Sequence, residues 1–185
     1  MQRPGTLPAA DGLVPVLETA RLRLRGHRVD DFGPLAALWA DPEVICYMGG
    51  KRSTSQEAWM RLMRYPGMWV LLGYGFWAIE EQASGRVIGD IGYMDARRPM
   101  EPPLDGMPEL GWALARDAQG KGYAREALAA VLAWGKAHFG AHRAVCTIEP
   151  DNAASIRLAT NAGFVFLHEV SYRDAPVRVY VRDEA

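Results

Sequence analysis

Six residues near the middle of the chain, Gln119-Gly120-Lys121-Gly122-Tyr123-Ala124, do most to limit what it can fold into. Ahead of them, Glu109 to Ala115 reads as a strand. Behind them, Ala124, Ala127, Leu128, Val131, Leu132 and Phe139 share one face of a helix expected over 120–139. Glycine reaches backbone angles closed to other residues and lets a ligand approach the main chain. The first-turn N–H groups of a helix have no partners within it, and the helix dipole adds positive potential there. Strand, glycine turn and helix in this order predict an α/β fold with a phosphate or diphosphate site at the turn.

Three phosphate-binding patterns compete for this segment. The P-loop requires Ser or Thr after its lysine, but Gly122 follows Lys121, which argues against ATP hydrolysis. The dinucleotide turn requires a third small residue, and Arg125 stands there, which argues against NAD. The third pattern, Gln/Arg-x-x-Gly-x-Gly/Ala, is met by Gln119, Gly122 and Ala124.

The rest of the chain supplies a consistent frame. LETARLRLR at 17–25 alternates as a half-buried strand, with Leu22 and Leu24 inward and Arg21, Arg23 and Arg25 outward. Asp30 and Asp31 open a helix that ends at Asp41-Pro42. Thr54 with Glu57 is a capping box for a second helix, expected to run to about Tyr65. Strands follow at 76–81 and 86–94, joined by a short turn, and then a proline-rich surface loop at 96–108. Beyond the central helix, which Gly140 stops, come a strand at 142–149, a helix at 152–162, and strands at 164–170 and 177–181. The order β-α-α-β-β-β-α-β-α-β-β predicts one mixed sheet with helices on both faces.

A chain of 185 residues suits one domain. We place it at 17–185, behind a flexible tail at 1–16. A net charge of -1 advertises neither nucleic acid nor an anionic membrane as partner. No apolar run is long enough to span a bilayer, and the polar start has no signal-peptide core, so the expected location is the cytoplasm. Cys46 and Cys146 are expected as reduced, half-buried thiols. The four histidines, His27, His138, His142 and His168, lack metal-ligand spacing, and no metal is expected. Of Tyr47, Trp59, Trp69, Tyr74, Trp77 and Tyr93, most are expected in the core, with some left to line an acceptor pocket.

The segment ELGWALARDAQGKGYAREAL resembles the coenzyme-A-binding motif of the GNAT superfamily of N-acetyltransferases. EPDNAASIRLATNAGF is similar to that family's next motif, in the form of its ribosomal-protein N-terminal acetyltransferase (RimJ/RimL-like) branch, and ETARLRLR resembles that branch's first strand. The resemblance covers Leu17 to Val181. It implies the GNAT fold, a mixed sheet of about seven strands splayed at the coenzyme site, and acetyl transfer from acetyl-CoA to a primary amine.

Further site roles follow from the resemblance. Backbone groups of Trp112, Ala113 and Leu114 would bind the pantetheine arm, and the N–H groups from Gln119 through Gly120, Lys121, Gly122 and Tyr123 to Ala124 the diphosphate. Lys121 or Arg125 would serve as charge partner. Asn152 caps a helix and would also bond the pantetheine amide, and Arg157 would reach the adenosine phosphate. Many relatives place a tyrosine near 161–164 to protonate the departing thiolate. This chain has none there, and Ser155 is the substitute. Glu109 is the first choice for general base and Asp174 the alternative carboxylate. No cysteine is placed for an acyl-enzyme, so direct attack in a ternary complex is expected. A homodimer is left open.

Two rival readings keep the fold and drop the reaction: a non-catalytic acyl-CoA sensor, and an interaction module that has lost its ligand. The presence of both Glu109 and Ser155 argues against the first, and the intact glycine turn against the second. An acceptor with an α-amine needs less help from one carboxylate than a lysine does, since its pKa is about 8 rather than about 10. That favours a peptide or protein N-terminus, with small amines open. For a cationic acceptor, Glu101, Asp105 and Glu109 are the candidate acidic pocket.

Overall fold

The computed structural model describes residues 12–104 and 106–184. Asp105 and most of the expected tail lie outside the described residues. Within it, Val14 is buried and the Trp77 indole donates to the Pro15 carbonyl (2.8 Å), so the chain is docked from Val14 onward.

Eight strands among the described residues form one sheet. In chain order the elements are β1 (Leu17–Glu18), β2 (Leu22–Arg25), α1 (Phe32–Ala40), α2 (Pro42–Ile45), α3 (Ser55–Leu72), β3 (Phe76–Glu81), β4 (Arg86–Met94), β5 (Glu109–Leu114), α4 (Tyr123–Phe139), β6 (His142–Ile148), α5 (Ala153–Asn161), β7 (Val165–Tyr172) and β8 (Ala175–Glu184). Their order across the sheet is β1-β2-β3-β4-β5-β6-β8-β7, and only β5 and β6 run parallel. This is a mixed α/β sheet of the kind that the resemblance implies, with eight strands rather than about seven.

The first expected strand is a hairpin, which accounts for the eighth strand. Thr19 turns the chain: its hydroxyl accepts from the Leu22 N–H (3.0 Å), and Leu17 then pairs with Leu24. Arg25, expected outward, is buried, because Asp31 at the start of α1 receives its fork (2.8 and 2.9 Å) and Glu80 receives its Nε (2.6 Å). Burial pushes the Asp31 carboxyl up, but the Arg25 fork and the Arg28 N–H outweigh it and hold the group below the usual carboxylate range. The capping box at Thr54 and Glu57 opens α3 as expected. The helix runs through Pro66 to Leu72 instead of stopping at Tyr65, because Tyr65 and Trp69, on either side of the proline, are both buried, and Gly73 (φ 74°) closes it.

Two apolar layers sandwich the central strands. On one face α4 packs Ala127, Leu128 and Val131 against Trp77, Ile79, Ile91 and Tyr93. On the other, α1 to α3 pack Leu35, Leu38, Leu62 and Tyr65 against Phe76 and Ala113. The 95–108 loop is docked through Met100, which joins Val145, Val170, Val179 and Val181 in a third cluster. Trp69, Trp77 and Tyr93 lie in the core as expected, whereas Tyr47 and Trp59 are exposed.

β3 and β4 approach closely at Gly92, where a Cβ would overlap the Gly75 carbonyl oxygen and Phe76 Cα. Gly92→Ala is expected to cost about 3 kcal/mol. Gly33→Ala, in α1 with open space around it, should stabilise by about 0.4–1 kcal/mol. Urea unfolding of both variants checks the contrast.

His27 stacks on Tyr65 (4.3 Å), and burial pushes its pKa from 6.5 down to about 4. As pH falls below 6.5 the unfolded chain takes up a proton that the folded chain refuses until about 4. Stability should therefore drop across that window by about 3 kcal/mol. In His27→Phe this part of the slope should vanish, as read by unfolding at pH 7, 5.5 and 4.5.

Candidate active site

β4 holds one side of β5 along its length, from Gly89 opposite Leu114 to Met94 opposite Glu109. On its other side β5 meets β6 at a single rung, Glu109 with Val145, where the Val145 N–H donates to the Pro108 carbonyl (3.1 Å). Beyond that rung no ladder joins the two strands, and a gap opens beside Leu110 to Leu114. Trp112 and Ser155 meet at the gap: the indole N–H donates to Ser155 Oγ (3.2 Å). A hydroxyl that accepts through its oxygen keeps its own O–H to donate. Asn152 caps α5 by accepting from the Ser155 N–H (3.0 Å), which fixes the serine in the first turn.

Side chains alternate along a strand, so Glu109 and Trp112 project to opposite faces of the sheet. Glu109 is buried on the face of the 95–108 loop. It accepts from Arg98 Nη2 (2.8 Å), Arg98 Nε (3.2 Å) and Thr147 Oγ1 (2.8 Å). Arg98 lies over Tyr172 (5.4 Å), one residue after the left-handed Arg97 (φ 45°). Burial opposes the Arg98 charge, yet its hydrogen bond and ion pair with Glu109 and its contact with Tyr172 raise its pKa overall. No sequence pattern pointed to Arg98 or Thr147, because both reach Glu109 from other elements. The expected acidic pocket does not assemble among the described residues: Glu101 is exposed, and Glu109 is buried against Arg98. Asp174 is exposed in the β7–β8 turn, where it and Arg173 both take positive φ (63° and 54°).

At the glycine turn, Gly120 (φ 72°) and Gly122 (φ 80°) both adopt the left-handed conformation, and Gly122 begins α4 with no side-chain cap. The helix thus starts at Tyr123, three residues later than expected. Gln119 departs from its expected role. Its N–H donates to the Arg116 carbonyl (3.2 Å) and its side chain to the Leu114 carbonyl (3.0 Å), so the N–H groups open to an anion begin after it. Tyr123 turns its hydroxyl to Glu81, and Ala124 packs against the core. Lys121 and Arg125 are exposed beside the turn, and Arg157 is exposed on α5. Arg21, in sequence only an outward residue of the first strand, donates through Nη1 to the Lys121 carbonyl (3.0 Å).

Cys146 is buried, and burial followed by the nearby Glu109 charge pushes its thiol well up. It therefore stays protonated and cannot act as a nucleophile. Cys46 is exposed rather than half-buried. A large concavity elsewhere, between α1 and the sheet, is lined by Arg25, Asp31, Glu80, Arg86 and Asp117, whose charges pair with one another. None of the expected site residues lines it.

Residues 21–165 match the family described as acetyltransferase (GNAT) domain. The chain is 30% identical to the uncharacterized N-acetyltransferase p20 of Bacillus licheniformis over 149 residues, 80% of this chain and 81% of that protein. It is 33% identical to a putative GnaT-family acetyltransferase from Bordetella pertussis of known structure, with a TM-score of 0.80 over 91% of this chain and 99% of that one. Fold alone is shared with the spermidine N-acetyltransferase of Vibrio cholerae, solved with CoA and spermine: identity is 17%, the TM-score 0.70, and coverage 89% of this chain and 96% of that one.

Proposed function

Because this chain belongs to the GNAT acetyltransferase family and is an acyltransferase, we propose that it transfers an acetyl group from acetyl-CoA to a primary amine by direct attack in a ternary complex. The observation that carries this reading is the gap beside β5, with a hydroxyl on one face of the sheet and a carboxylate on the other.

The unpaired edge of β5 at Trp112, Ala113 and Leu114 would take the pantetheine arm. The uncapped N–H groups from Gly120 to Ala124 suit the diphosphate, with the exposed Lys121 or Arg125 as its charge partner, and the exposed Arg157 would reach the adenosine phosphate. The side-chain nitrogen of Asn152 is not used in its cap and would bond the pantetheine amide. A backbone N–H of β5 would polarise the thioester carbonyl. Glu109 takes one proton from the incoming ammonium, the neutral amine nitrogen attacks that carbon, the C–S bond breaks, Ser155 gives its proton to the thiolate, and the second proton shed by the attacking nitrogen replaces it on Ser155. An incoming ammonium carries the same charge as the Arg98 guanidinium and would exchange with it on the Glu109 carboxylate. Cys146 takes no part.

The acceptor we favour is the α-amine of a peptide or protein, as in the RimJ/RimL-like branch. The ETARLRLR opening supports that branch, and so does the α-amine pKa of about 8, which one partly shielded carboxylate can serve. Two free thiols fit a cytoplasmic setting.

Calorimetric titration of the protein with acetyl-CoA, and then with CoA, should show micromolar binding, about -8 kcal/mol. No binding at millimolar concentration would remove the reading. Gly122→Asp, which sets an anion against the diphosphate, should abolish that binding. Glu109→Gln should lower kcat/KM at pH 7 by about 100-fold or more. The deficit should shrink as pH approaches the pKa of the amine; a ratio that stays flat with pH would deny Glu109 the base role.

A further inference from the structure

Arg21 lies between β1 and β2, about a hundred residues from the glycine turn in sequence, yet it is built into it. Its backbone N–H and its Nε both donate to Glu126 of α4 (2.8 and 2.7 Å), and Glu126 also receives the Thr19 hydroxyl (2.7 Å). The guanidinium lies over the Tyr123 ring (4.5 Å). With its Nε edge on a carboxylate and its plane on a ring, the group has little freedom, and Nη1 is directed at the Lys121 carbonyl (3.0 Å). A Cβ on Gly122 would lie 3.4 Å from Nη2, an ordinary van der Waals distance, so the guanidinium stands beside Gly122 as well as beside the Lys121 carbonyl.

The consequence follows from peptide geometry. In a trans peptide the carbonyl and the following N–H point in opposite directions. Drawing the Lys121 carbonyl toward Arg21 turns the Gly122 N–H away from Arg21. Gly122 itself, at φ 80°, permits that plane orientation at no steric cost. We infer that Arg21 is a positioning residue for coenzyme binding: from behind the turn it fixes the Lys121–Gly122 peptide so that the Gly122 N–H faces the diphosphate. The inference rests on the acetyl-CoA reading. It assigns Arg21 a role through geometry, distinct from the direct charge contact expected of Lys121 or Arg125. Lysine cannot replace it, because a single ammonium cannot hold Glu126 and the Lys121 carbonyl in the fixed arrangement of a guanidinium.

The test compares CoA with pantetheine, the same arm without its phosphates, by calorimetry on the intact protein, Arg21→Gln, Arg21→Lys and Glu126→Gln, with thermal unfolding of each. Arg21→Gln should bind CoA about 10- to 100-fold more weakly, and pantetheine as well as the intact protein does. Arg21→Lys should fall with it, and Glu126→Gln, which keeps the arginine but loosens its fork, should lie between. Intact CoA affinity in Arg21→Gln, or equal losses for CoA and pantetheine, would overturn the inference. Full affinity in Arg21→Lys would also overturn it, by showing that charge alone suffices. Failure of the unaltered protein to bind CoA would instead remove the acetyl-CoA reading, and this inference with it.

Discussion

The parting of β5 from β6 is the constraint on which the rest of the structure turns. A parallel pair joined at one rung leaves a row of main-chain groups beside Leu110 to Leu114 without strand partners. Buried groups in that state are costly, about 1–3 kcal/mol each, so other contacts must keep the strand where it is. Six opposed residues of β4 hold its other edge. The Gln119 side chain takes the Leu114 carbonyl at one end, and the Glu109–Arg98–Thr147 cluster fixes the other. Trp112 and Ser155 link the strand to α5. The gap is therefore held open by specific bonds at both ends.

The glycine turn is likewise supported from outside itself. A segment with two left-handed glycines has many conformations to lose on folding. The β1–β2 hairpin restricts it through Arg21 and Thr19, both anchored on Glu126. This gives the short strand β1, only two residues long, a purpose beyond covering β2. Closing that hairpin carries the side chain of residue 21 to the start of α4.

What the sequence made legible was local. The order of elements (apart from the β1–β2 split and the short α2 at Pro42–Ile45, which the sequence did not announce), the capping box at Thr54, the Asn152 cap, the Gly140 stop and the glycine turn each depend on residues within a few positions of one another, and each stands in the structure. What it hid was long-range. Arg25 reads as an outward residue until Asp31 and Glu80 are seen to receive it. Glu109 reads as a strand-end carboxylate until Arg98 is found on it, in a loop with no periodicity to mark its inward residues. The second helix reads as ending near Tyr65, yet it runs on through Pro66, because the buried pair Tyr65 and Trp69 outweighs one missing backbone bond. Arg21 showed only as one member of an alternating strand, because its partner Glu126 is 105 residues away.

The placement of Glu109 and Ser155 on opposite faces has a kinetic meaning. A slot served from two faces of a sheet, as proposed for Glu109 and Ser155, would have two mouths. Molecules that enter by different mouths do not stand in each other's path. In a reaction run through such a slot, either substrate can arrive first, and the order of binding is set by their relative affinities and concentrations. A pocket with a single entrance would force the deeper ligand to bind before the shallower one.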